Sequence, residues 1–191
     1  MARPRTFDPD EILDIALEVF WRKGFRGTSL DDITAESGLA KPSLYAAFGD
    51  KNALFLKVLD RYHDRIIARA EKLLARGSSA RDAISGWLES FLPYCSGSKG
   101  TRGCLSINNA TEFPADQTDL LASVERYNSR LQELIRRRLE TDRDQFSKDF
   151  NPTAVAYYIM TLYNGLMVMA RQAPSAANVR AAIQTAMSSL D

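Results

Sequence analysis

The sequence has little of what several classes of protein need. Its 191 residues include only two cysteines, Cys95 and Cys104, too few for a disulfide scaffold. The single histidine, His63, has no second histidine or cysteine near it in the sequence, so a zinc site is not expected. No stretch approaches the ~18 apolar residues of a membrane span, and no apolar signal-peptide core follows the N-terminus. We expect a soluble, cytoplasmic protein without a metal.

The motifs of common enzyme classes are also missing. There is no GxSxG elbow, no Walker loop, no GxGxxG motif after a strand and no evident pair of catalytic carboxylates. The sequence therefore predicts a protein that is not an enzyme and uses no cofactor. A net charge of +1 gives no overall preference for nucleic acid, whereas a hydrophobic content of 45% suffices for a core.

Helical periodicity dominates what is present. The first helix follows the predicted N-cap Asp8 and ends at Gly24, with an apolar stripe formed by Ile12, Ile15, Ala16, Val19 and Phe20. Further helices are predicted over 28–37, 41–48, 51–76, 80–93, 104–112, 117–141, 152–172 and 176–189. No segment alternates apolar and polar residues as a strand would. The predicted fold class is all-α, with about nine helices.

Residues 28–48 have the pattern of a helix-turn-helix. Thr28-Ser29-Leu30-Asp31 is typical of a capping box that begins a short helix, Gly38 interrupts it, and a third helix follows. Leu44 and Phe48 are expected to pack on the first helix. The outer face of the third helix would then carry Lys41, Ser43, Tyr45 and Ala47. The alternative is that three short helices form an ordinary core.

Bulk charge does not support this interpretation by itself. Residues 1–51 contain seven Lys/Arg and nine Asp/Glu, a balance of 7 − 9 = −2. Any DNA contact must therefore depend on a few well-placed groups. We predict a DNA-binding domain over residues 1–50 and a larger helical domain over 51–191, connected by the fourth helix.

Residues 12–56 resemble the DNA-binding domain of the TetR family. The matching positions are Ile15-Ala16, Phe20, Gly24-Phe25, Thr28-Ser29-Leu30-Asp31-Asp32-Ile33, Gly38-Leu39, Lys41-Pro42-Ser43-Leu44-Tyr45, Phe48, Lys51 and Leu54-Phe55. The resemblance implies an all-helical homodimer that binds a palindromic operator in double-stranded DNA. It assigns the binding of a small-molecule effector and dimerisation to the helical domain over 51–191. It also implies DNA contacts by Thr28, Lys41, Pro42, Ser43, Tyr45 and Lys51.

Two features qualify these contacts. Ala47 stands where the family often has a polar or aromatic residue, so base reading would depend more on Lys41 and Ser43. Arg3 and Arg5 precede the first helix on a proline-containing arm that could enter the minor groove. The alternative for the arm is a disordered tail.

The C-terminal part contains few motifs. An effector pocket needs apolar and aromatic groups with a few polar ones. The candidates are Trp87, Phe91, Tyr94, Cys104, Asn108, Glu112, Tyr127, Tyr158 and Tyr163, and each could instead be a core residue. The resemblance implies that the last two long helices form the dimer interface, and the alternative is that they belong only to the core. An apolar stripe in the first of them comprises Ile159, Leu162, Tyr163, Leu166 and Met169.

The function predicted from the sequence is a sequence-specific DNA-binding transcription regulator. We expect a repressor that a small-molecule ligand releases from its operator. The alternatives are an activator, a regulator without a ligand, and a redox sensor acting through Cys104, with Arg102 close enough in sequence to lower the thiol pKa. Cys104 could equally be a small buried hydrophobic residue.

Overall fold

The computed structural model describes residues 7–96, 101–110, 112–113 and 117–190. Every regular element in this part of the chain is helical, as the sequence predicts. The helices are α1 (Pro9–Gly27), α2 (Leu30–Ser37), α3 (Lys41–Phe48), α4 (Lys51–Leu74), α5 (Ala80–Glu89), α6 (Leu92–Ser96), α7 (Leu105–Ala110), α8 (Thr118–Thr141), α9 (Pro152–Met169) and α10 (Ala176–Ser188), with short 3₁₀ turns at Arg143–Gln145 and Ala170–Gln172. The predicted helix over 80–93 is divided into α5 and α6.

Helices α1, α2 and α3 pack around an aromatic centre with the start of α4. Phe20 and Phe55 lie 4.5 Å apart between ring centroids, and Phe25 lies 5.0 Å from Phe55. Leu44 and Phe48 of α3 are buried in the same cluster. This core fixes α3 against α1, which is the arrangement that a helix-turn-helix requires.

The structure corrects one predicted helix boundary and refines another. The N-cap of α2 is Ser29, not Thr28, because the reciprocal capping box joins Ser29 with Asp32 instead of Thr28 with Asp31. The regular turns of the first helix end at Gly24, as predicted. This glycine has φ 75° and ψ 166°, and one further turn continues to Gly27. Spacing alone could not distinguish two capping frames that differ by one residue.

Helices α4, α8 and α9 form the centre of the larger part, with α5 and α10 packed together at its side. The largest side chains buried there are Trp87, Tyr127 and Tyr163. Helix α4 extends from the helix-turn-helix into this core, so it connects the two regions.

Within the described residues, one segment, Pro152–Gln172, is long and apolar enough to cross a membrane by length and composition alone. It coincides with α9 and its 3₁₀ extension. In the structure α9 packs against α8, with Ile159, Tyr163 and Leu166 buried. A core helix of this kind passes the same compositional test, so the segment is weak evidence for a membrane span.

Candidate DNA-binding surface and effector region

The exposed face of α3 differs by one position from the predicted face. Lys41, Pro42, Tyr45 and Ala46 are exposed, Ser43 is half-buried, and Ala47 packs against the core. The predicted face took alternate residues, whereas a helix turns by about 100° per residue. Ala46, which the sequence pattern did not indicate, therefore takes the outer position assigned to Ala47.

Lys41 is held at the start of α3 by an acidic neighbour. Its Nζ lies 2.8 Å from Asp31 Oδ1 in an exposed ion pair. The hydrogen bond to Asp31 raises the pKa of the Lys41 ammonium, which keeps the side chain charged. Tyr45 lies one turn further along α3, and 47% of the residue is exposed. The cation and the phenol hydroxyl therefore stand on the same outer surface.

Thr28 and Lys51 both have partners inside the chain. The Thr28 hydroxyl is buried and donates to the Gly24 carbonyl oxygen at 2.7 Å. Lys51 Nζ donates to the carbonyl oxygens of Phe25 (3.1 Å) and Thr28 (3.2 Å) and lies over the Phe25 ring. Both residues stabilise the end of α1. Their predicted phosphate contacts remain predictions.

Arginines beyond residue 51 neutralise part of the acidic excess of residues 1–51. Asp14 pairs with Arg61 and Arg65 of α4, and hydrogen bonds from these arginines lower its pKa despite partial burial. Glu18 pairs with Arg102. Counting charges along the sequence could not show these pairs, because the arginines lie far away in the chain. The predicted arm residues Arg3 and Arg5 lie outside the described residues.

Helix α7 and the residues after it contact the end of α1 directly. The Phe25 backbone N–H donates to Asn109 Oδ1 at 2.6 Å. The Arg26 Nε donates to the Glu112 carbonyl oxygen at 2.8 Å, and the Arg26 backbone N–H donates to the Glu112 carboxylate at 3.2 Å. Glu112, predicted as an effector ligand, therefore lies at the junction between α1 and the larger part of the molecule. Asn109 was not identified from the sequence.

Five of the predicted effector residues are buried near one another. Tyr163 lies between Trp87 and Phe91, with ring centroids 5.2 and 5.0 Å away, and its hydroxyl is 3.2 Å from that of Tyr127. Cys104 accepts a hydrogen bond from Tyr62 at 3.4 Å. The Trp87 indole N–H is buried without a hydrogen-bond partner in the part of the chain that the structure describes. An orphan donor of this kind is unusual in a folded protein.

Cys104 has the environment of a buried thiol. It is fully buried, and this burial raises its pKa, although a hydrogen bond with Tyr62 opposes the shift. A reactive cysteine needs an exposed thiolate with a lowered pKa. Arg102, predicted from the sequence as an activating cation, instead pairs with Glu18 and stacks on Trp21.

The remaining predicted residues lie elsewhere. Tyr94 lines a cleft beside α1. The Asn108 amide donates to the Arg102 carbonyl oxygen at 2.6 Å. Tyr158 lies on the outer face of α9, where 45% of it is exposed. The structure therefore distributes the nine candidates over a buried cluster, a cleft, a junction and an outer surface.

His63 belongs to a polar chain beneath this aromatic cluster. Its ring stacks on Tyr127 at 4.3 Å, Nε2 contacts the Ser106 hydroxyl, and Nδ1 lies 3.4 Å from the Ser123 hydroxyl. Burial lowers the pKa of His63 from 6.5 to about 4. No group of three or more metal-ligating side chains occurs among residues 7–96, 101–110, 112–113 and 117–190.

The outer face of α9 is apolar although it is exposed. Tyr157 is 67% exposed, Val168 52% and Met169 51%. Most of the stripe predicted from the sequence lies on another face, because Ile159, Tyr163 and Leu166 are buried in the core. The exposed positions of α10 are mostly small, and they include Ala177, Ala181 and Ala182.

Known families match both parts of the chain. The family of bacterial regulatory proteins described as tetR matches residues 12–58, and the tetracyclin repressor-like C-terminal domain matches residues 80–186. The HTH-type transcriptional repressor ComR of Escherichia coli is 32% identical over 177 residues, which cover 91% of this chain and 84% of that protein.

Solved structures show the same fold. A cysteine mutant of the TetR family transcriptional regulator CifR, complexed with 26bp double-strand operator DNA, superposes with a TM-score of 0.89 at 26% identity and 100% coverage of both chains. The reduced form of NemR from Escherichia coli has a TM-score of 0.81 at 22% identity, covering 93% of each chain, and shows the likeness of fold alone.

Proposed function

The chain belongs to the TetR family of DNA-binding transcription regulators, and we propose that it is a homodimeric repressor that a small molecule releases from a palindromic operator. The observation that carries this proposal is the exposed face of α3, where Lys41 and Tyr45 project from a helix that the core holds in place. ComR is named a repressor, and CifR is complexed with operator DNA. A DNA-binding protein of this kind acts in the cytoplasm, where the DNA is.

The proposed DNA contacts divide into two groups. Lys41, Pro42 and Ser43 begin α3, the part of a recognition helix that reaches base edges. A lysine can donate to the acceptors of guanine in the major groove. Tyr45 would contact a phosphate directly, whereas Thr28 and Lys51 would have to share or leave their internal carbonyl partners to do so. Phosphate contacts position the protein without reading sequence. Arg3 and Arg5 would add minor-groove contacts.

The proposed dimer joins two copies through α9 and α10. The exposed apolar face of α9 supports this dimer. Contact of Tyr157, Val168 and Met169 with water is unfavourable, and a partner surface would remove it. Small residues on α10 would let two helices approach closely. A two-fold dimer presents two copies of α3, which matches the symmetry of a palindromic operator.

The proposed release mechanism is a shift between two orientations of the DNA-binding helices. From the sequence, α4 is the expected connection. A second connection is supported by hydrogen bonds in the structure. Asn109 and Glu112 bind Phe25 and Arg26, in the turn that follows the bend at Gly24. A ligand that moves α7 relative to α4 would therefore tilt α1 and, with it, α3.

Selection of bound sequences from a random library of double-stranded DNA tests the proposal. We expect an enriched inverted repeat with half-sites a fixed distance apart, and a gel shift with that sequence. The variant Lys41→Ala should weaken the gel shift, whereas Lys72→Ala, at the far end of α4, should not. If no sequence is enriched and no specific complex forms at low salt, the chain does not have this function.

A further inference from the structure

A cleft separates α1 from the larger part of the molecule. Its volume is about 300 Å³, at the lower end of the range for small-molecule sites. Trp21 of α1 forms one wall, and Tyr62, Phe91, Tyr94 and Met167 form the other side. The Trp21 and Tyr62 rings meet edge to face at 5.3 Å between centroids, so an apolar group of one or two rings would lie against this pair and not between the two rings.

The polar groups of the cleft are mostly cationic. Three guanidinium groups line it, those of Arg65, Arg69 and Arg102, together with one carboxylate, that of Glu18. Arg65 is neutralised by Asp14, and Arg102 by Glu18. These two ion pairs leave one positive charge in the cleft, that of Arg69. The cleft therefore favours an anion.

Arg69 is the cation that is available to a ligand. Its Nη2 donates to the Ser90 carbonyl oxygen at 2.7 Å, and its guanidinium lies 5.5 Å from the Phe91 ring and 5.8 Å from the Tyr94 ring. No carboxylate within the described residues pairs with it. An arginine has five N–H donors, so donors remain for a bidentate bond to a carboxylate.

We propose that this cleft binds a small organic carboxylate, with its anion on Arg69 and its apolar part against the Trp21–Tyr62 pair and the Phe91 ring. That this ligand also controls DNA binding rests on the proposed function. The site is suited to such control because the ligand would touch Leu17 and Trp21 of α1 as well as the larger part. Occupation of the cleft would change how α1 packs on α4.

Calorimetric titration of the purified full-length chain tests this site. The probes are benzoate, naphthoate and octanoate, each compared with the alcohol that has the same apolar part. We expect at least one carboxylate to bind about tenfold or more tightly than its alcohol. The reason is that a hydrogen bond from Arg69 to a charged carboxylate is stronger than one to a neutral hydroxyl. Arg69→Gln should remove that preference, and Arg69→Lys should retain part of it.

Lys72→Gln is the matched control, because it removes one positive charge from the next turn of α4 outside the cleft. This variant should bind like the wild type. The proposal is wrong if no carboxylate binds at millimolar concentration, if acid and alcohol bind equally, or if Arg69→Gln behaves like Lys72→Gln. The titrations contain no DNA, so their failure is distinct from a failure of the library selection.

Discussion

Individual side chains of α3 determine what this surface can read. The outer face offers one cation and one phenol hydroxyl, from Lys41 and Tyr45, beside the small side chain of Ala46. Ala46 has only a methyl group, which can contact a thymine methyl but forms no hydrogen bond. In the proposed interface, discrimination between bases would therefore depend heavily on Lys41, whose ammonium would have to leave or share Asp31 to reach DNA.

Replacing Lys41 with alanine is expected to relax preference at one base pair. Binding of the variant to the selected operator should weaken by ~1–3 kcal/mol. Its binding to operators changed at that base pair should weaken by less. Competition gel shifts with single-base operator variants measure this difference. Tyr45→Phe is the contrasting variant, since loss of a phosphate contact weakens all sequences alike. Equal weakening of every operator by Lys41→Ala would show that Lys41 does not read a base.

His63 is expected to make the protein less stable in weak acid. Its pKa is about 4 in the folded chain, whereas an exposed histidine has a pKa of 6.5, so the unfolded chain binds the proton first as pH falls. The free energy of unfolding should therefore fall between pH 6.5 and 4, by up to about 3 kcal/mol. Urea denaturation at fixed protein concentration across this range measures the effect.

His63→Asn provides the comparison for that experiment. The variant retains every carboxylate of the wild type, so the difference between the two proteins isolates the histidine. We expect a smaller loss of stability for the variant between pH 6.5 and 4. Parallel curves would mean that His63 titrates normally in the folded chain.

At the scale of elements, the bend in α1 joins the two functional regions. The helix begins at Pro9 and bends at Gly24, and its last turn contacts Asn109 and Glu112. A backbone with φ 75° and ψ 166° is essentially restricted to glycine. Because Asn109 of α7 accepts from the Phe25 N–H next to this bend, the proposed release mechanism would transmit a movement of α7 to the helix-turn-helix.

Gly24→Ala is expected to destabilise the fold by about 1–3 kcal/mol, because alanine disfavours this backbone conformation. The added Cβ would also lie 2.8 Å from a Glu112 carboxylate oxygen and displace that side chain. Chemical denaturation measures the change. Gly27→Ala in the same helix is the control, since its Cβ would meet nothing closer than 3.9 Å. Similar effects of the two substitutions would exclude a special role for the bend.

At the scale of the whole molecule, the exposed apolar face of α9 is the surface that we propose two copies share. Val168→Asp should raise the dimer dissociation constant by about tenfold or more, because a charge would be buried in the interface. Sedimentation velocity over a range of concentrations measures the dissociation constant. Leu121→Asp is the control. Leu121 is an apolar residue of α8, 39% exposed, and it lies outside the proposed interface of α9 and α10. An unchanged dimer for Val168→Asp would place the interface elsewhere.

The sequence by itself determined the local structure and the family. The period of the apolar residues predicted the all-α fold, and the cap at Asp8 predicted a helix start that the structure contains. Such signals are local, because an N-cap bonds to backbone groups two or three residues away. The resemblance to the TetR family also depends on local spacing, which includes that of glycine, lysine and tyrosine residues between Gly24 and Lys51.

Only the tertiary structure decided which side chains meet. It moved the outer position of α3 from Ala47 to Ala46, placed Glu112 against the bend of α1, and buried Cys104 among tyrosines. It also paired Asp14 and Glu18 with arginines from beyond residue 51 and left Arg69 without a carboxylate among the described residues. These contacts join residues up to 86 positions apart. They depend on how the helices pack, and no local pattern in the sequence encodes that packing.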